Sequence, residues 1–215
     1  MKRCVLISGA SISDYEFAKK YLRAEDICIF CDCGLEHAGK LGIKPDLIVG
    51  DMDSFTGELP YAEIIKLPAA KDDTDTFFAA KEALRRGFKE VLMLGAIGER
   101  FDHTMGNISV LMMLSKNGAD AKIIYDRSEI SVISPDGVSD TALISGECRY
   151  FSVIAAGGPA RGVVIENAAY PLENGVIKPE YQYGISNEVL PGRTAKVSVK
   201  TGRLLLVKVR RGPEH

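Results

Sequence analysis

Short apolar runs alternate with helix-like segments along the first part of the chain. The runs are rich in β-branched residues, as buried strands are, and they cover Cys4–Ile7, Ile27–Cys31, 47–49, 64–67, 91–94 and 121–125. Residues 74–86 and 102–115 carry apolar side chains at helical spacing, and Gly87 follows the first of these segments as a helix stop. Near-continuous apolar strands that alternate with helices predict a mostly parallel sheet flanked by helices.

The pattern changes near residue 135, where turn-forming residues begin to recur and helical periodicity is lost. Turn formers at 135–137, 157–159, 173–175 and 201–202 separate strand-like runs at 150–155, 163–165, 195–200 and 204–209. The last two runs, within KVSVKTGRLLLVKV, are interpreted as a hairpin. The sequence therefore predicts an α/β domain over residues 1–134 and a small all-β sandwich over residues 135–215.

Composition narrows the class of protein. Hydrophobic residues make up 46% of the chain, charged residues 26%, and the net charge is −2, which fits a globular protein without nucleic-acid or membrane partners. No apolar run approaches the roughly 20 residues that span a bilayer, and the N-terminus lacks the features of a secretory signal. The five cysteines lie mostly in strand-like runs without zinc-finger spacing. We expect a cytoplasmic protein without a disulfide framework.

Carboxylates follow several of the predicted strands. Asp51 and Asp53 come after the run 47–49, and residues two apart in an extended chain face the same side. Asp32 follows the preceding strand, and further acidic residues open the two predicted helices, namely Asp72, Asp73, Asp75 and Asp102. Because the carboxyl ends of parallel strands meet at one edge of a sheet, we expect these side chains to lie together.

Such a group of carboxylates needs a compensating charge. Two unit charges 4 Å apart repel by roughly 4 kcal/mol at an effective dielectric of 20. Mg²⁺ offsets this repulsion and typically takes one or two carboxylates together with phosphate oxygens. Lys71 and Arg100 could hold those phosphates, and backbone N–H groups of the turn 95–98 could approach them. Taken singly, an exposed acidic turn, a helix cap or a plain turn explains each motif; their conjunction favours a magnesium–phosphate site.

The motifs and their order resemble the bacterial thiamine pyrophosphokinase family. The family segments Ala-Asp-Gly-Gly and Pro-Asp-x-x-x-Gly-Asp-x-Asp-Ser are similar to residues 31–34 (CDCG) and 45–54 (PDLIVGDMDS). The segment Lys-Asp-x-Thr-Asp is similar to residues 71–75 (KDDTD), and Gly-x-x-Gly-Gly-Arg-x-Asp-His-x-x-x-Asn to residues 95–107 (GAIGERFDHTMGN). Residues 170–172 and 186–188 match family segments too. The resemblance extends from about residue 30 to residue 207.

The resemblance implies an enzyme that converts ATP and thiamine to AMP and thiamine diphosphate with Mg²⁺. It also implies a homodimer whose site lies between the α/β domain of one subunit and the thiamine-binding β domain of the other. The implied metal ligands are Asp51, Asp53 and Asp75. The implied catalytic residues are Lys71, Asp72, Asp75 and Arg100. The implied nucleotide-side residues are Asp32, Gly34, Ser54, Thr74, Gly95, Asp102, His103 and Asn107. Ser186 and Asn187 are the implied thiamine contacts.

The chain departs from the family pattern at a few positions. Cys31 and Cys33 replace Ala and Gly, Asp73 takes a position often held by Lys, and Glu99 replaces a Gly in the phosphate-side turn. The chain has no Trp, the residue that stacks on thiamine in some members, so Tyr170, Tyr181 and Tyr183 are candidates for stacking. Two other functions stay open: a diphosphokinase for another hydroxymethyl heterocycle, and a thiamine- or nucleotide-sensing module without turnover.

Overall fold

The structure is a computed structural model that describes residues 2–52, 60–68, 72–181 and 183–211. The chain divides into two units between Asp126 and Arg127. The boundary expected at residue 134 falls after strand β7 (Ser128–Ile133), whereas the division falls before it, because β7 pairs with β13 (Leu204–Arg210) of the second unit. Across the described residues, no helix is both long and apolar enough to cross a membrane.

The first unit contains the predicted parallel sheet. Its strands are β1 (Cys4–Ile7), β2 (Ile27–Cys31), β3 (Leu47–Gly50), β4 (Glu63–Lys66), β5 (Glu90–Leu94) and β6 (Asp120–Tyr125). Their order is β4-β3-β2-β1-β5-β6, and neighbours pair in parallel. The order reverses at β1, which lies between β2 and β5. All six strands therefore end at one edge, with the point of reversal between β1 and β5.

Helices pack on the sheet as the alternating pattern predicts. They are α1 (Tyr15–Lys19), a 3-10 helix (Asp32–His37), α2 (Ala38–Leu41), α3 (Asp75–Arg85) and α4 (Phe101–Lys116). Val5 and Ile7 of β1 share a buried cluster with Phe17 of α1 and Leu41 of α2. Helix α3 packs against β1, β2 and β3, and α4 against β6. The short α1 and α2 were not predicted, because four or five residues are too few for a periodic pattern.

The second unit is the predicted sandwich of antiparallel sheets. One sheet pairs β7 and β9 (Cys148–Ala155) with β13. The other contains β8 (Thr141–Ile144), β10 (Ala160–Glu166), β11 (Leu172–Ile177) and β12 (Ala195–Ser198) in the order β11-β10-β12-β8. Phe151 and Leu206 of the first sheet lie in one buried cluster with Val163 and Val197 of the second. The sandwich core is formed by the inward residues of both sheets.

The predicted hairpin over 195–209 is wrong. Strand β12 pairs with β8 and β10, whereas β13 pairs with β7 and β9, so the two runs lie in different sheets. The chain crosses between the sheets at Thr201-Gly202. Gly202 has φ +88°, and a Cβ there would lie 2.5 Å from the carbonyl oxygen of Pro159. The turn-forming residues mark a bend, but the pairing of the strands on either side depends on strands distant in sequence.

Candidate functional site

A cleft of about 570 Å³ opens at the carboxyl edge of the first unit's sheet. The loops after β1, β2 and β5 line it, together with Asp51 after β3 and the first turns of α3 and α4. The loops after β1 and β5 flank the point where the strand order reverses. Open α/β sheets bind ligands at such a point, because neighbouring loops there diverge to opposite faces of the sheet.

Eight of the expected site residues line this one cleft: Asp32, Asp51, Thr74, Asp75, Gly95, Arg100, His103 and Asn107. Gly34, Asp72 and Asp102 do not belong to its lining. Asp53, Ser54 and Lys71 lie outside the described residues. Ser186 and Asn187 belong to the second unit. Residues from four separate sequence motifs thus converge on the sheet edge that the pattern predicted.

Asp32 combines an uncommon backbone conformation with a partly buried carboxylate that lines the cleft. Its φ is +42°, a left-handed conformation that is uncommon for a residue other than glycine. Its Oδ2 accepts a hydrogen bond from the Cys33 thiol at 3.2 Å, whereas its buried Oδ1 has no hydrogen-bond partner among the residues that the structure describes. A buried acceptor without a partner carries a desolvation cost. A cation or a ligand N–H or O–H group at this edge would remove that cost.

Gly34, expected on the nucleotide side, has a structural role in the fold. A Cβ at this position would lie 2.2 Å from the carbonyl oxygen of Ile7. The glycine therefore allows the 3-10 helix after β2 to lie directly against the end of β1.

The first turn of α3 is fixed by hydroxyl groups. Thr74 caps the helix by accepting a hydrogen bond from the N–H of Phe77 at 3.1 Å, which makes Asp75 the first helical residue. The Thr76 hydroxyl lies 2.9 Å from the Ser8 hydroxyl, linking α3 to the loop after β1. Asp73, just before α3, forms an ion pair with Lys81 in the middle of that helix. These contacts hold Asp75 at the cleft.

Cys31 lies buried beneath this turn. Burial, and after it the charge of Asp75, raises the pKa of the Cys31 thiol to about 12. The neutral thiol therefore belongs to the packing beneath the carboxylates.

The turn after β5 requires glycine where it meets the loop after β1. Gly95 has φ +59°, and a Cβ there would lie 2.3 Å from the carbonyl oxygen of Ser8. A Cβ on Gly98 would lie 2.8 Å from the Cβ of Ala10. The two loops on either side of the strand reversal are therefore in direct contact.

Helix α4 supports the same turn with two side chains. The Asn107 amide donates to the carbonyl oxygen of Ala96 at 2.7 Å, and Thr104 Oγ1 accepts from the N–H of Gly98 at 3.1 Å. Asn107 was expected to contact the nucleotide; in the structure its buried amide fixes the turn. Thr104 was not predicted, although its place one turn before Asn107 on the same helix face was visible in the sequence.

Arg100 and Asp102 form an ion pair at the mouth of the cleft. The distance from Arg100 Nη2 to Asp102 Oδ2 is 2.6 Å, and the two side chains are 70% and 67% exposed. The pair raises the pKa of Arg100 and lowers the pKa of Asp102. Exposed ion pairs are weak because water competes for both partners. Arg100 can therefore exchange Asp102 for a phosphate at little cost.

Negative charge dominates the cleft. Among the described lining residues, carboxylates occur at Asp32, Asp51, Asp73, Asp75 and Glu99, against the single guanidinium of Arg100. No three Asp, Glu, His or Cys side chains within the described ranges lie close enough to form a metal-binding group, and Asp53 falls outside those ranges. Mg²⁺ needs only one or two protein carboxylates when phosphates supply its other ligands. Asp51 and Asp75 fit that requirement.

In the second unit, Asn187 holds an exposed tyrosine in place. Its side-chain oxygen accepts from the N–H groups of Tyr170 at 3.0 Å and Glu188 at 2.9 Å, and its amide donates to Tyr170 O at 2.7 Å. The amide of Asn187 is thus engaged within its own unit. Ser186, with φ +55°, is exposed beside it, and the side chain of Tyr170 is 69% exposed. The rings of Tyr181 and Tyr183 lie 5.6 Å apart.

Sequence reasoning missed the loop after β1. Ser8, Gly9 and Ala10 line the cleft mainly through their backbone and small side chains, so they carry no recognisable chemistry. A signal was nevertheless present. Four small residues, Ser-Gly-Ala-Ser, directly follow a fully buried strand at the edge where carboxylates gather.

Comparison with known proteins identifies both units. A family model described as "Thiamin pyrophosphokinase, catalytic domain" matches residues 18–123. A second, "Thiamin pyrophosphokinase, vitamin B1 binding domain", matches residues 140–204. Thiamine pyrophosphokinase of Bacillus subtilis is 28% identical over 216 residues, which cover 97% of this chain and 99% of that protein. Thiamine pyrophosphokinase 1 of rice is 40% identical over 88 residues, and the match spans 33% of the rice protein.

Solved structures share the fold over the whole chain. The crystal structure of thiamine pyrophosphokinase from Bacillus subtilis matches with a TM-score of 0.85 at 23% identity, covering 99% of this chain and 100% of the other. The enzyme from Candida albicans matches with a TM-score of 0.76 at 16% identity, covering 98% of this chain and 89% of the other. At these identities, the likeness shows the fold.

Proposed function

Because the chain belongs to the thiamine pyrophosphokinase family and catalyses the ATP-dependent pyrophosphorylation of thiamine, we propose that the cleft of its first unit binds the triphosphate of ATP together with Mg²⁺. The observation that carries this proposal is the convergence of Asp32, Asp51 and Asp75 with Arg100 on one cleft at the strand reversal. An anionic triphosphate would not enter this acidic cleft without a cation.

The reaction transfers a pyrophosphoryl group. The thiamine hydroxyl oxygen bonds to the β-phosphorus, the bond from the β-phosphorus to the oxygen bridging to the α-phosphate breaks, and AMP leaves with that oxygen. The hydroxyl proton passes to a carboxylate. Asp72 and Asp75 were both expected to serve, and we favour Asp75 because it lines the cleft whereas Asp72 does not.

The metal ligands in this proposal are Asp51 and Asp75, with Asp53 as a further expected ligand outside the described residues. When bound, Mg²⁺ would neutralise phosphate charge and hold the phosphates in register. The chain's own contribution is to fix the two carboxylates. Asp51 follows directly from β3, and Asp75 is held by the cap at Thr74.

Arg100 would stabilise the charge of the transferring phosphates after leaving Asp102. Lys71 would add a second cation, as the family pattern implies. The N-cap residue of α4, Arg100, makes no capping side-chain hydrogen bond within the described residues, so the first turn of α4 could offer backbone N–H groups to the same anion. Asp32, His103 and the loops after β1 and β5 would bind the nucleotide. Asp102 would act through Arg100, and Asn107 through the turn that it supports.

Thiamine would bind to the second unit near Ser186, with Asn187 and the exposed tyrosines forming its surroundings. We further propose a homodimer in which the second unit of one subunit completes the site on the first unit of the other. Mixing two inactive variants tests this arrangement, namely Asp75→Asn and Ser186→Trp. A shared site predicts that mixed dimers regain activity, since one of their two sites is intact. A site within a single chain predicts none.

The direct test of function is an assay of ATP plus thiamine with and without Mg²⁺. We expect AMP and thiamine diphosphate to form only with the metal, and no ADP. Asp51→Asn and Asp75→Asn should each lower turnover by roughly 10²–10³-fold while the fold survives. Release of ADP, or turnover in both variants equal to the wild type, would refute the proposed site.

A further inference from the structure

A buried histidine outside the cleft contacts the loop that lines it. His37, the last residue of the 3-10 helix, is 7% exposed and does not line the cleft. Its Nε2 lies 3.1 Å from the carbonyl oxygen of Ala10, and its Nδ1 lies 2.7 Å from the hydroxyl of Tyr15. The family motifs and the proposed reaction assign no role to either side chain.

These two contacts define the tautomer of His37. A carbonyl oxygen only accepts hydrogen bonds, so Nε2 carries the proton that binds Ala10. In the neutral ring, Nδ1 is then an acceptor and receives the O–H of Tyr15. Burial lowers the pKa of His37, which favours this neutral form. The ring thus acts as a fixed donor to the loop, held from behind by the first residue of α1.

The accepting carbonyl belongs to the peptide group that joins Ala10 to Ser11. The Ala10 carbonyl and the Ser11 N–H are in the same plane and point in opposite directions. His37 binds the carbonyl, and interaction with Ser11 lowers the pKa of Glu99 in the loop after β5. Glu99 stands where the family pattern has glycine.

His37 and Gly95 hold Ala10 at the wall where the two cleft loops meet. The N–H of Ala10 donates to the carbonyl oxygen of Gly95 at 2.9 Å, so both backbone polar groups of Ala10 are held. The methyl group of Ala10 lies against Gly98, where a Cβ would approach it to 2.8 Å. A shift of Ala10 would therefore disturb the turn 95–98, which is the expected phosphate-binding turn.

We infer that His37 is a positioning residue for nucleotide binding, acting through the Ala10–Ser11 peptide to fix the turn that receives the triphosphate. The inference rests on the proposed location of the nucleotide in this cleft. Without the Nε2–H donor, the Ala10 carbonyl is free to turn toward water. Part of the binding free energy of ATP is then used to reorder the loop after β1, so the affinity falls. The effect falls on ATP affinity, while the carboxylates that perform the chemistry stay in place.

The test compares His37→Leu, which removes both hydrogen bonds, with His37→Gln, whose amide nitrogen can reach the position of Nε2. We expect His37→Leu to raise KM for ATP about tenfold with kcat changed less than about threefold, and His37→Gln to stay within about threefold of the wild type. KM for thiamine should not change. Tyr15→Phe, which removes only the support of Nδ1, should give a smaller rise in KM for ATP.

Melting temperatures of all variants are measured in parallel, and assays are run well below them. A merely structural role lowers the melting temperature and leaves KM for ATP unchanged in His37→Leu, which would overturn the inference. Should His37→Leu not fold, His37→Asn, too short to reach Ala10, is compared with His37→Gln, and equal KM values for ATP would overturn it.

Calorimetric binding of Mg²⁺ with α,β-methylene-ATP separates this inference from the proposed function. A wild-type protein that binds the nucleotide without releasing AMP contradicts the function, while the affinity ratio of wild type to His37→Leu still decides the role of His37. A wild-type protein that does not bind the nucleotide contradicts both.

Discussion

The two edges of the parallel sheet in the first unit use charge in opposite ways. At the amino edge, Arg3 and Asp26 form a bidentate ion pair with side chains 7% and 2% exposed, and Glu90 contacts both Arg3 and Arg23. At the carboxyl edge, the described cleft lining gathers five carboxylates around Arg100. The ion pair at the amino edge is buried within the chain, whereas we propose that the carboxylates and Arg100 of the cleft bind a cation and an anion from solution.

Breaking the buried pair at the amino edge should have the largest effect on stability. Asp26→Ala removes the nearest carboxylate from the buried Arg3 guanidinium, which still contacts the Tyr21 carbonyl and the half-exposed Glu90, and we expect a loss of about 3–5 kcal/mol in the free energy of unfolding. Urea denaturation measures it. Arg23→Ala, which breaks the exposed contact to Glu90, is the matched control and should change stability far less. Equal losses of unfolding free energy in both variants would contradict the expectation that the buried ion pair contributes more to stability than the exposed one.

Helix α3 begins at the cleft and ends with Glu82 in its last turns. Titration of Glu82 should change the free energy of unfolding by an intermediate amount. Glu82 accepts hydrogen bonds from Arg85 and Arg86, which lower its pKa from 4.5 to about 2. A carboxyl whose pKa is lower in the folded state stabilises the protein above its unfolded pKa, and this contribution is lost as the pH falls toward about 2.

Glu82→Gln should therefore flatten the decline in unfolding free energy between neutral and acidic pH. Denaturation at a series of pH values measures this slope, with Glu16→Gln, an exposed residue paired with Lys19, as the control. If the slope in Glu82→Gln equals that of the wild type, the lowered pKa of Glu82 is contradicted.

At the carboxyl edge, the exposed pair of Arg100 and Asp102 should give the smallest effect. If Asp102 only holds Arg100 at rest, Asp102→Asn frees the guanidinium, and KM for ATP should fall or stay within about threefold of the wild type. If Asp102 binds the nucleotide itself, KM for ATP should rise about tenfold or more. Initial rates at varied ATP distinguish the two roles, and Arg100→Lys provides the comparison in which phosphate binding must weaken.

The long periodic elements were predictable from the sequence. The segments 74–86 and 102–115 correspond to α3 and α4 within one residue at each end. Apolar strands of four or five residues gave the sheet, because burial on both faces leaves a continuous hydrophobic run. The strand pairing of β12 and β13 was not predictable in the same way, since the hydrogen-bond partners of both lie far away in the chain.

The residues of the site also differ in whether the sequence could predict them. Asp32, Asp51 and Asp75 were predicted to lie at this edge, as they do, because carboxylates at successive strand ends are chemically conspicuous and the sheet edge is fixed by topology. The residues that were missed act by support. Thr104 holds Gly98, and His37 holds Ala10, through hydrogen bonds to backbone groups. A side chain that contacts only backbone leaves no motif in a single sequence.

Binding of a nucleotide to the cleft that contains Asp51 and Asp75, the proposed metal ligands, tests the central claim most directly. Mg²⁺ with α,β-methylene-ATP, which cannot release AMP, is titrated calorimetrically into the wild type and into the double variant Asp51→Asn/Asp75→Asn. The account predicts Mg²⁺-dependent binding to the wild type and at least about tenfold weaker binding to the double variant, whose melting temperature should not fall. Equal affinities of the two proteins, with or without Mg²⁺, would contradict it.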